Sequence, residues 1–79
     1  MLRQPFGDQS IFEVTLYNKE VRALVKENQS HLLFEDHWAD PQVRDVVAKS
    51  ESEARDVIAS RFPEDAGFVI EDVHPCKPH

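Results

Sequence analysis

The chain has 79 residues, 41% hydrophobic and 30% charged, with a formal charge of −6, two glycines, five prolines and one cysteine. That length accommodates one domain, near the lower limit for a core without metals or disulfides, and the composition excludes a low-complexity or wholly disordered chain. A lone Cys76 excludes an internal disulfide framework and points to the cytoplasm, the opening MLRQPFGDQS lacks the apolar stretch of a signal peptide, and no run approaches the roughly 20 apolar residues that span a bilayer.

Residues 1–10 form a polar lead-in containing Pro5 and Gly7, expected to be flexible, and the domain itself is expected over 11–73. IFEVTLY (11–17) alternates, with Phe12, Val14 and Leu16 on one side and Ile11, Glu13, Thr15 and Tyr17 on the other, which predicts a strand. Asn18 stands at an N-cap position, and Val21, Leu24, Val25 and Asn28 follow at helical spacing, so a helix is expected over 19–28. Asn28, Gln29 and Ser30 end it through their preference for local side-chain hydrogen bonds.

A connection of about thirteen residues comes next, the length at which a loop is often functional. Its centre, HLLFEDHWADP (31–41), concentrates three apolar residues, two histidines and the only tryptophan. Segment 42–48 admits two readings, because Asp40 and Pro41 suit a helix start and Val43, Val46 and Val47 have helical spacing. The β-branched valines, and a helix restarting at Ser50, favour a strand. Ser50 and Glu53 form a capping box, Ala54, Val57, Ile58 and either Arg61 or Phe62 make one face, and Pro63 stops a helix expected over 51–62. After a turn at 64–67, Phe68, Val69, Ile70 and Val73 predict a final strand, and 74–79 is expected to leave the fold as a disordered tail.

The fold class is therefore α+β, a small β-α-loop-β-α-β domain with both helices on one face of a three-stranded sheet. EVRALV (20–25) and EARDVI (53–58), each preceded by a strand, suggest two similar strand-helix units. The face carrying Ile11, Glu13, Thr15 and Tyr17 would remain uncovered, and that face and the edge strands are where a second protein or a second copy would dock.

Charge narrows the partners. Residues 35–72 hold eleven acidic residues against Arg44, Lys49, Arg55 and Arg61, a balance of −7, while the remainder carries +1. Direct nucleic-acid binding is disfavoured, because the C-terminal half repels phosphates. The same acids, among them Glu51, Glu53, Asp56, Glu64, Asp65, Glu71 and Asp72, keep open an inhibitor that mimics nucleic acid toward a basic partner.

Candidate chemistry centres on 31–41. His31 and His37, with Glu35 and either Asp36 or Asp40, supply metal-ligating types, yet the histidine spacing departs from the i, i+4 pattern of helical zinc sites. His37 beside Asp36 or Asp40 is a possible acid-base pair, but sequence neighbours in an extended segment point apart. No nucleophile elbow, phosphate loop or Cys/His pattern accompanies them, so no catalytic residue, cofactor or small-molecule substrate is assigned. The tail places His74, Cys76 and His79 close together, which on an untethered segment gives weak metal binding at most, with Cys76 as an oxidisable thiol. The expected function is a non-catalytic protein-interaction module; metal binding through His31 and His37 is a further alternative. Leu33, Phe34 and Trp38 are expected to pin the loop, and Tyr17, Phe34, His37 and Trp38 are the candidate interaction residues. Trp38 is decided by burial: a plug if buried, an interface anchor if exposed.

Overall fold

A computed structural model describes residues 9–76. Its elements run β1 (Ser10–Asn18), α1 (Lys19–Lys26), a 3₁₀ turn (Asp36–Ala39), β2 (Gln42–Ala48), α2 (Glu51–Arg61), a second 3₁₀ turn (Glu64–Ala66) and β3 (Phe68–Pro75). The small α+β domain expected from the sequence is what forms, with 42–48 as a strand. The residues expected to be flexible or disordered at 1–8 and 77–79 lie outside the described range.

The sheet has strand order β2-β1-β3, and both outer strands run antiparallel to β1. β2 and β3 are therefore parallel to each other, and α2 carries the crossover between them. Phe12, Val14 and Leu16 of β1 meet Val21 of α1, Ala54 and Ile58 of α2, Val46 and Ala48 of β2, and Phe68 and Val73 of β3 in one buried cluster. Because one strand face supplies these residues, both helices lie on that face. Phe62, and not the exposed Arg61, continues the buried face of α2.

Asn18 is the polar centre of this core and is fully buried. It ends β1 in an extended conformation and caps α1, its Oδ1 accepting from the N–H groups of Glu20 (2.9 Å) and Val21 (3.0 Å). Its Nδ2 donates to the Ala66 carbonyl at 3.0 Å, and the neighbouring Lys19 N–H donates to the Gly67 carbonyl at 2.8 Å. Two connections distant in sequence are thereby fastened together. Gly67 fits because its φ is +101° and a Cβ there would come within 2.7 Å of Asn18 Oδ1.

Both helices end by identifiable means. α1 stops at Lys26, two residues before the expected end, because Asn28 adopts a left-handed conformation (φ 58°). Asn28 N–H then bonds the Val25 carbonyl and Gln29 N–H the Leu24 carbonyl, a paired C-terminal cap. At α2 the Ser50 half of the capping box forms as expected, Ser50 Oγ accepting from Glu53 N–H (3.1 Å), while Glu53 Oε1 accepts from the N–H of Lys49 (3.2 Å), one residue before the cap.

β3 corrects the expected boundary. It continues through His74 and Pro75, and Cys76 N–H still bonds the Ile11 carbonyl at 2.8 Å. Pro75 lies opposite Phe12 at a position whose missing N–H faces away from β1, so the ladder loses nothing. One irregularity interrupts the pairing, where Leu16 meets Ile70 but Thr15 meets Asp72, leaving Glu71 as an extra, bulged residue.

Replacing Asn18 by alanine removes the α1 cap and leaves the Ala66 carbonyl without its donor. We expect a loss of about 2–3 kcal/mol in urea unfolding, above the cost of an exposed cap alone.

Candidate functional site

Register alone maps the face that no described helix covers. Three rows cross it: Val47 beside Ile11; Asp45, Glu13 and His74; and Val43, Thr15 and Asp72. Tyr17 and Val69 pair beyond them. Ile11 (40% exposed) and Val47 (36%) form an apolar pair on the β1/β2 side of this face, and Val43 (53%) lies on the same strand as Val47, on the other side of Asp45. An adjacent cross-strand pair such as Ile11 and Val47 presents one continuous patch to solvent.

The edge of β2 adds a second feature to the same place. In an antiparallel strand the N–H and C=O of one residue point to the same neighbour, and those of the next point the opposite way. The Cys76 bond to the Ile11 carbonyl shows that Ile11 faces β3, so Phe12, Val14 and Leu16 face β2 and pair with Val46, Arg44 and Gln42. The main-chain groups of Val43, Asp45 and Val47 therefore point outward, with no strand beside them among the described residues. Arg44 Nη1 reaches back to the Val43 carbonyl at 3.0 Å, while its guanidinium lies 4.9 Å from the centre of the Trp38 ring. β3 is guarded differently, by the bulge at Glu71 and by Pro75, which lacks a donor.

His74, on the outer strand β3, lies in the middle row of the face, beside Glu13. Its Nδ1 is 2.8 Å from Asp72 Oδ2 and its Nε2 is 3.0 Å from Glu13 Oε1, so the ring donates to both carboxylates when doubly protonated. The hydrogen bond to Asp72, with a smaller contribution from Glu13, raises its pKa above the ordinary 6.5 despite partial desolvation. Cys76 shares this face. Desolvation, with the nearby charges of Glu13 and Asp45, holds its thiol above the usual range and lowers its thiolate fraction. Asp45 itself makes no hydrogen bond or ion pair with the described residues.

Segment 31–41 meets the expectation at Phe34 and Trp38 and departs from it at Leu33. Trp38 is 8% exposed and packs against Phe62 and Phe68 at ring separations of 5.2 and 5.1 Å, so it is a core plug and not an interface anchor. Phe34 is half-buried against Phe68 at 5.0 Å. Leu33 does not pin the loop: it is 81% exposed, and Leu32 beside it is 99% exposed. They stand on a turn closed by the Leu33 N–H bonding His31 Nδ1 at 3.0 Å. Phe34 holds the loop down while the two leucines point to solvent.

The histidines are not brought to one centre. His31 Nε2 lies 3.4 Å from Glu20, and the exposed His37 Nδ1 lies 3.2 Å from Glu35 while its ring rests on Trp38 at 5.2 Å. Among the described residues no group of three His, Cys, Asp or Glu side chains is arranged to hold a metal ion. Tyr17 is on the open face as expected, but Arg22 covers its ring at 3.7 Å while donating from Nε to the Ala39 carbonyl at 2.8 Å. Two shallow depressions, of about 380 Å³ along Ser30–Asp36 and about 330 Å³ between α2 and β3, open broadly to solvent.

No described helix is long and apolar enough to cross a membrane. Comparison with protein families, curated proteins and solved structures finds no match to this chain.

Titration of His74 by NMR should give a pKa above 6.5. Because the folded-state value is raised, the stability it contributes is full below the unfolded value of about 6.5 and is lost as pH rises through the folded value. The difference in Tm between wild type and His74→Gln should shrink across that window; a difference that grows with pH would contradict the assignment.

Proposed function

We propose that the chain is a small, non-catalytic protein-interaction module of the cytoplasm that docks a partner on its helix-free sheet face. The observation that carries this reading is the coincidence of two features. Ile11, Val43 and Val47 are exposed on a face that no described helix covers, the two valines flanking Asp45, and the main-chain edge of β2 lies open beside them among the described residues. Exposed apolar side chains supply burial and an open edge supplies directional hydrogen bonds, a combination used in recognition by strand addition.

The candidates from the sequence then have distinct roles. Trp38 and Phe34 support the surface from behind, since the core they complete holds the sheet flat against its helices. Tyr17 is partly sealed by Arg22, which leaves the Val43–Val47 side as the accessible part. The acidic-mimic alternative calls for an uninterrupted negative surface, and Arg55 beside Glu51 at 4.0 Å and His74 between two carboxylates interrupt it. A second docking element is favoured by one observation, the display of Leu32 and Leu33 in solvent.

Affinity capture from the source cells, under reductant, tests the assignment. A partner retained by wild type and by an Ala59→Lys control on α2 should be lost with Val43→Lys/Val47→Lys. Retention by that double variant, with loss on Leu32→Ser/Leu33→Ser, would move the binding surface to the loop.

A further inference from the structure

The open edge of β2 also constrains what can bind it. Val43, Asp45 and Val47 present three outward N–H and three outward C=O groups, and an antiparallel strand centred opposite Asp45 satisfies all six. A second copy of β2 fits poorly in every nearby register. Centred on Asp45, self-pairing sets two Asp45 carboxylates directly opposite each other, and like charges so placed are destabilising. Shifted so that Val43 meets Asp45, it sets Pro41, which has no N–H, opposite Val47. Shifted the other way, it sets Lys49 opposite Val43, and the Lys49 N–H is already bound to the Glu53 carboxylate at 3.2 Å.

We propose that the occupant of this edge is an extended segment of a different protein with a basic residue flanked at two-residue spacing by apolar ones. This rests on the sheet-face reading above and names the partner chemistry for it. In such a complex the basic side chain lies on the open face against Asp45, the acid of the Asp45–Glu13–His74 row that has no cation beside it among the described residues. Residues two before and two after it lie opposite Val47 and Val43 and pack their apolar side chains against these valines. The surrounding acids favour the same sign of partner, since His74 balances only part of the charge of Glu13 and Asp72. Arg44 does not obstruct the arrangement, because the Val43 carbonyl it engages has a second lone pair.

The test uses the whole chain, uniformly ¹⁵N-labelled and reduced, with two synthetic peptides, TVTKTVT and TVTETVT, titrated to millimolar concentration. The lysine peptide should shift the Val43, Asp45 and Val47 amides and bind about tenfold tighter than the glutamate peptide. Asp45→Lys, an exposed change whose folding is verified by circular dichroism, should reverse that preference. N-methylation of the central lysine amide, which faces Asp45, should abolish binding, whereas N-methylation of the adjacent threonine should not. Absence of binding by either peptide, equal binding of both, or a preference unchanged in Asp45→Lys would overturn the proposal. Those failures leave the sheet-face reading standing if capture still depends on Val43 and Val47; if that dependence also fails, both fall.

Discussion

A single buried amide holds the two ends of this small fold together. Asn18 lies where β1 becomes α1, and its side chain uses both of its functions, the oxygen on the first turn of α1 and the nitrogen on the turn that leads into β3. A buried polar group is costly unless its hydrogen bonds are made, so the position tolerates only a close approach of the two segments. That approach sets the direction of α1, requires a glycine at 67, and brings Phe68 to the point where it completes the cluster with Trp38 and Phe62.

With α1 and α2 committed to one face, the opposite face is left to its own residues. It is not uniformly apolar. Its centre is a charged row in which His74 joins carboxylates from β1 and β3, and its apolar part is displaced toward β2. The two edges differ as well. β3 is protected by a bulge and a proline, whereas β2 is regular through seven residues and relies on Arg44 and Asp45. A charged residue in the middle of an otherwise regular edge discourages pairing with itself while remaining compatible with an oppositely charged strand. The proposed recognition surface and its proposed selectivity thus rest on one distribution of side chains.

Much of the architecture was legible because local and tertiary preferences agree. The alternation of β1, the capping box at Ser50 and Glu53, the valines of β2 and the Asn18 cap all appear where their chemistry places them. The open face was legible too, as the remainder after two amphipathic helices are placed. Other features depend on contacts that no local pattern encodes. In HLLF, three consecutive apolar residues look equivalent, and only the position of Phe68 selects Phe34 for the core and leaves Leu32 and Leu33 outside. His74 and Pro75 read as a tail because proline normally ends a ladder; the parity of hydrogen bonding, set by β1, makes Pro75 harmless there. The apolar edge pair combines Ile11 with Val47, residues 36 positions apart by their numbering, and becomes visible only with the register.

β2 is assigned an open main-chain edge, with Val43 and Val47 exposed on either side of Asp45. Residue-resolved amide hydrogen exchange on the free chain tests it most directly, because burial on the helix face and pairing with β1 protect alternate residues. An open edge gives rapid exchange at Val43, Asp45 and Val47 and strong protection at Arg44 and Val46, independent of protein concentration. Equal protection of all five amides would show the edge already occupied and would overturn its assignment as open.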